Sequence, residues 1–211
     1  MAHRTFFGIA ASVALAFSSV ALRAQSPAEP TAYTITVQYQ ITGTALRTTY
    51  RLGSKVLVDQ APSPGIPPNV TPAAATRTLY FLDTGQSLSW EPANTAAACT
   101  RRSFQGDAWL DPFSGAADLA MPDVTQVGSE AIHGIAAKIL VSKAKPGFKL
   151  WVDPKTGLML KAEFTPLSSD RAITYFEVTG AHLEPPPAAL FEIPAHCPAN
   201  PEASKSTRRS N

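Results

Sequence analysis

The side chains able to act as bases, nucleophiles or ligands are sparse and scattered. Of the 4 histidines, His133, His182 and His196 lie beyond the N-terminal stretch, each beside a turn signal. No HExxH or HxH sets two imidazoles together for a metal. No GxSxG presents a serine at a strand-to-helix elbow, and Ser129, although it follows Gly128, lacks that setting. Asp107, Asp111, Asp118 and Asp123 do not keep the alternate-residue spacing of a calcium loop and read as caps or solvated acids. GxGxxG and GxxxxGK are absent. Catalytic triads are defined by geometry rather than spacing, so a hydrolase with an unrecognised site is the third and weakest of the readings weighed below. The expectation is a protein without enzymatic activity, metal or cofactor.

The 2 cysteines, Cys99 and Cys197, admit two readings. One is a disulfide tying the end of the chain to its middle. It would close a loop of about 100 residues and stabilise by roughly 4–5 kcal/mol. The other is a reactive thiol or a metal site with His196, which falls short of the four ligands usual for structural zinc. The disulfide is favoured because the chain reads as exported.

Trp90, Trp109, Phe113 and Trp151 are the remaining residues of interest. Large aromatics are more often core than ligand wall, but a groove for an apolar ligand would use the same residue types.

Most of these residues must be positioned by strands. Tyr33, Ile35, Val37, Tyr39 and Ile41 alternate with polar residues, the mark of a half-buried strand. Further strands are expected at 44–52, 55–59, 77–82, 86–91, 100–104, 124–133, 135–142 and 172–179, with a Pro-rich loop at 61–75. The hairpin 147–164 is the most specific signal. Asp153 opens its turn, Pro154 presets φ and Gly157 takes φ > 0. A four-residue loop, Pro154 to Gly157, pairs Asp153 with Leu158, Trp151 with Leu160 and Lys149 with Ala162. This places Trp151, Leu158, Leu160, Ala162 and Phe164 on one face, and Phe148, Leu150, Val152 and Met159 on the other. A hairpin apolar on both faces needs cover on both. The segment 107–121, broken by Pro112 and Gly115, is expected to form one or two helical turns and to supply one cover. About ten strands joined by short turns imply one antiparallel sheet.

Residues 1–24 read as a signal peptide: Arg4, an apolar run from Phe6 to Leu22, and small residues near Ala24 for cleavage. Residues 25–32 are a lead-in, 33–197 a single β domain and 198–211 a tail expected to lack fixed structure. The net charge of +2 comes from Arg4 and Arg23, since the leader holds no acid. The remainder is formally neutral. It gives no case for nucleic acid or for an anionic membrane surface, and no second apolar run is long enough to span a bilayer. A periplasmic or secreted location is expected.

The string Lys149-Leu150-Trp151-Val152-Asp153-Pro154-Lys155-Thr156-Gly157-Leu158-Met159-Leu160-Lys161 resembles the hairpin of periplasmic lipoprotein-sorting proteins, the LolA-like superfamily. Val127-Gly128-Ser129-Glu130-Ala131-Ile132-His133-Gly134 and Leu190-Phe191-Glu192-Ile193-Pro194 match the flanking strand-turn and closing motifs of that pattern. The resemblance implies a mainly β fold, a strongly curved open antiparallel sheet like half a barrel, with a short helical lid over an apolar cavity. The implied function is non-covalent carriage or sensing of a lipid, acyl chain or lipidated protein. Trp151, Leu160 and Phe164 would then form one wall, with Trp109 and Phe113 on the lid. The alternative is an envelope protein-interaction module of the same fold with a filled core. The chain departs from the family in lacking its N-terminal amphipathic helix and in its short, broken lid.

Overall fold

The computed structural model describes residues 30–40, 45–62, 74–105, 111–115, 117 and 121–197. The leader, the tail and Trp109 lie outside them. The expected alternation is realised from the first strand, β1 (Ala32–Tyr39), in which Tyr33, Ile35 and Val37 are buried. β2 (Ala45–Leu52), β3 (Lys55–Gln60), β4 (Thr76–Phe81), β5 (Gln86–Trp90) and β6 (Thr100–Ser103) follow as a meander. A second meander comprises β7 (Val124–Ile132), β8 (Ile135–Ser142), β9 (Phe148–Val152), β10 (Met159–Phe164) and β11 (Ile173–His182). β1 pairs with β11, so the two meanders join into one 11-stranded antiparallel sheet, ordered β6-β5-β4-β3-β2-β1-β11-β10-β9-β8-β7. The sheet is open, with β6 and β7 as its edges. Bulges interrupt the β1/β11, β10/β11, β9/β10 and β7/β8 ladders. Each bulge bends its strand and adds twist, which curves the sheet.

Turn chemistry follows residue type. Gly53 and Gly85 adopt φ of 60° and 63° at hairpin turns. His133 and Gly134, at φ 47° and 82°, form the two-residue turn between β7 and β8 whose twist matches that of its strands. At the β9–β10 turn the Asp153 carboxylate accepts from the Lys155 N–H (2.9 Å) and the Thr156 hydroxyl (2.7 Å). The Asp153 carbonyl accepts from Gly157 N–H at 2.8 Å, and Gly157 has φ 78°. Asp153 is therefore buried yet bonded, as its role in opening the turn requires.

The β9–β10 register differs from the one expected. Trp151 stands opposite Lys161, Lys149 opposite Glu163 and Phe148 opposite Phe164, with the irregularity between Met159 and Lys161. One extra residue, Leu160, sits in β10. Because side chains alternate with period two, that single insertion exchanges the faces beyond it. Trp151 and Phe164 consequently lie on opposite faces, not on one wall.

Two covers close the sheet. Leu57, Leu79 and Leu88 form a fully buried row across β3, β4 and β5. Burying each leucine contributes about 1.5–3 kcal/mol. Trp90, Phe191 and Cys197 complete this cluster, so the 3-10 turn Ala188–Phe191 is the closing plug. Cys99 and Cys197 form a disulfide with Cα atoms 5.4 Å apart, which staples the plug to the β5–β6 connection. The second cover is the β6–β7 connection, where Phe113 meets Tyr33 of β1 at 5.0 Å between ring centroids. The Pro112 carbonyl accepts the Met159 N–H at 2.9 Å. A Cβ at Gly115 would come within 2.8 Å of the Gly157 carbonyl oxygen and of Val152 Cγ1. Pro112 and Gly115 thus do more than break a helix: they bring this connection against the turn end of the β9–β10 hairpin.

Candidate apolar groove

The bulged register makes a continuous row of opposed residues across five strands: Tyr39, Phe176, Ala162, Leu150 and Leu140. Directly opposed residues share a face. Phe176, Ala162, Leu150 and Leu140 floor a groove of about 740 Å³, whose sides include Phe148 and Met159. That volume lies within the roughly 300–1,000 Å³ of small-molecule sites. Its lining is mostly apolar, and the hairpin face carrying Phe148, Leu150 and Met159 supplies a wall.

Polar groups gather at one end, where Asp123, Ser142 and Lys145 join the lining. The Ser142 hydroxyl donates to Asp123 at 2.6 Å. This hydrogen bond above all, with help from backbone N–H groups and the Lys145 charge, holds the Asp123 carboxyl below its ordinary value of 3.8. The neighbouring loop is fastened by the Gly147 carbonyl, which accepts from Thr165 N–H at 2.9 Å. Gly147 has φ 85°, and a Cβ there would collide with the Thr165 carbonyl oxygen. Phe148 packs against Phe164 at 4.8 Å between centroids, so Phe164 supports the groove wall through Phe148.

The next row along the same strands is Glu177, Lys161, Trp151 and Ile139, and Trp151 belongs to the buried cluster against which Phe176 also packs. The Trp151 indole N–H donates to Glu130 at 2.8 Å, and Lys161 Nζ lies 4.8 Å from the ring centroid. Lys161 also pairs with Glu163 at 2.7 Å, and His133 with Glu177 at 2.9 Å.

Of the residues expected to touch a ligand, Trp151, Leu160 and Phe113 belong to one buried cluster with Tyr33, Ile35, Val37 and Val178. They are core, and neither they nor Phe164 line the groove. The wall is instead built by Phe148, Leu150, Met159 and Ala162. The first three were visible as the second apolar face of the hairpin; Ala162 joins them only through the bulge.

A metal-ligand triad is present by proximity alone: the donor atoms of Cys99, His196 and Cys197 all lie within 4.8 Å of one another. Both sulfurs are engaged in the disulfide, which leaves the imidazole as the ligand on offer. A thiolate, not a disulfide sulfur, is the metal ligand.

Known proteins resemble the chain in fold. No family model matches it, and no curated protein matches it in sequence. The MucA/MucB complex structure from Pseudomonas aeruginosa aligns over 80% of this chain and 58% of that one, at 16% identity and a TM-score of 0.50. A second MucB structure gives 17% identity, 79% and 58% coverage and the same score, 0.50. An uncharacterized conserved protein from Thermus thermophilus covers 79% of this chain and 87% of that one, at 14% identity and a TM-score of 0.49. The chain thus spans about three fifths of the MucB chains it matches, and the likeness is one of fold.

Among the described residues no helix is long and apolar enough to cross a membrane. The disulfide is of the kind formed in oxidising compartments.

Proposed function

We propose that this is a non-enzymatic binding protein of the cell envelope, of LolA-like descent, that shelters an apolar chain in the groove floored by Leu140, Leu150, Ala162 and Phe176. The groove carries the reading: Leu140, Leu150, Ala162 and Phe176 line a mostly apolar volume of about 740 Å³ on the sheet. The cargo is an acyl chain, free or attached to a lipid or protein. Each methylene buried contributes about 0.8 kcal/mol, so a few carbons give measurable affinity with no cofactor and no covalent step. The leader and the disulfide support a periplasmic or secreted site of action.

A second reading draws on the fold neighbours. MucB has been solved in complex with MucA, and a protein partner is accordingly the second reading for this chain. The groove would then receive a partner's apolar side chains.

Native mass spectrometry of protein purified from the exported fraction, with titration of a fluorescent fatty acid, separates the two. Retained lipid and saturable binding, both lost in Leu150→Asp, are expected for the carrier. A carboxylate on the groove floor removes apolar affinity. Absence of retained lipid together with absence of fatty-acid binding would falsify the carrier reading.

A further inference from the structure

β4 and β5 turn Leu79 and Leu88 toward the plug. The residues alternating with them line a second cavity, of about 390 Å³, which reaches the edge strand β6. We infer that this cavity binds a small organic anion, its carboxylate against Arg102 and its apolar body against Tyr80 and Phe104.

Two opposed rows build the floor. Tyr80, Ser87 and Arg102 stand opposite one another across β4, β5 and β6, and Thr78 faces Ser89 in the next row. Ser87 and Tyr80 are only 6% and 7% exposed, although both line the cavity. A strand face merely wetted by solvent would leave its hydroxyls exposed. Ser87 donates to the Arg102 carbonyl at 3.2 Å, and the Thr78 and Ser89 hydroxyls lie 2.9 Å apart. One of that pair donates to the other, and the accepting hydroxyl keeps its own proton to donate. The segment after β6 turns back through Phe104 N–H on the Gly85 carbonyl at 2.9 Å. Phe104 meets Tyr80 edge-on at 5.2 Å between centroids, which makes one end of the cavity aromatic.

The lining holds one cation, Arg102, and no carboxylate. Burial pushes the Tyr80 phenol above its ordinary 10.0, against the opposing Arg47 charge, so Tyr80 is neutral. Arg102 is exposed on the open edge of the sheet, and the ion pairs among the described residues do not engage it. Asp59 on β3 is held by Arg77 at 2.8 Å, and Asp83 and Glu91 lie outside the lining. Hydroxyl donors and a guanidinium without an acid select a ligand that accepts hydrogen bonds and carries negative charge. The volume lies near the lower end of the roughly 300–1,000 Å³ of small-molecule sites, which suits a compact ligand. No residue lines both this cavity and the apolar groove, so the site goes beyond the groove reading and is measured separately from it.

The test uses the chain from residue 25 onward, with benzoate as the probe. Benzyl alcohol is its uncharged counterpart, and inorganic phosphate is an anion without an apolar body. Binding is followed by amide NMR shifts. Saturable benzoate shifts are expected at Thr78, Ser87 and Ser89. Affinity falls roughly tenfold in Arg102→Gln, the scale of one charge-assisted hydrogen bond. Benzyl alcohol and phosphate each bind more weakly than benzoate. Arg102 is exposed, so its variant melts at the parent temperature. Arg171→Gln alters an exposed arginine outside the cavity and leaves benzoate affinity unchanged. Arg102→Gln leaves fatty-acid binding intact, and Leu150→Asp leaves benzoate binding intact, so the two sites fail independently. Absence of saturable benzoate shifts, shifts centred on Phe148 and Leu150, or equal affinity of Arg102→Gln and parent would each overturn the inference. Benzyl alcohol or phosphate binding as tightly as benzoate would overturn it too.

Discussion

Trp151 and Lys161 stand opposite one another on β9 and β10, with the ammonium 4.8 Å from the indole centroid. The expected register put Leu160 in that place. Lys161 is only 17% exposed and also holds Glu163, so its charge is used twice on a partly dry surface. Lys161→Met keeps the stem and removes the charge. The cation–π contact and the ion pair together predict a loss of about 1–2 kcal/mol. Urea unfolding should show a lower midpoint with an unchanged slope, and a variant as stable as the parent would refute the role.

Gly115 approaches the hairpin turn more closely than a side chain permits. In Gly115→Ala the new Cβ meets the Gly157 carbonyl oxygen, a backbone atom with little room to yield. Overpacking of this kind costs about 1–3 kcal/mol. The loss should appear in thermal melts, accompanied by faster amide exchange at Met159, whose N–H bonds to Pro112.

Asp123 makes the stability of the fold pH-dependent. Its carboxyl is held below the ordinary 3.8 chiefly by the Ser142 hydroxyl. The stability it supplies is present above that ordinary value and is lost as pH falls through the lower folded value. Ser142→Ala removes the main cause. Carboxyl titration by NMR should then show the Asp123 pKa rising toward 3.8, while the parent titrates lower.

The Cys99–Cys197 bridge closes a sequence separation of 98 residues and seats Phe191 over Leu57 and Leu88. Replacing both cysteines by serine predicts a loss of roughly 4–5 kcal/mol, or less where the unfolded chain keeps structure. Guanidinium unfolding measures it.

Much of the strand plan was legible from local patterning. Tyr33, Ile35 and Val37 announce β1 because alternation is a property of the strand itself. Asp153, Pro154 and Gly157 announce their turn because they satisfy it from within. Leu190 and Phe191 read as a plug and became one. The groove was not legible. Its floor joins Leu140, Leu150, Ala162 and Phe176, which lie on four strands and meet only through the ladders. The expected register sets Trp151 and Phe164 on one face, and one bulged residue in β10 separates them.

The sequence by itself determined an antiparallel β chain with a hairpin apolar on both sides and a cysteine pair suited to export. The tertiary structure alone decided which residues were core and which were wall. A strand's pattern repeats every two residues, so one extra residue in β10 exchanges its faces without altering the composition or spacing of the strand. Whether Phe148 and Leu150, or Trp151, look into open space is therefore settled by non-local pairing and by where Phe113 and Phe191 come to rest.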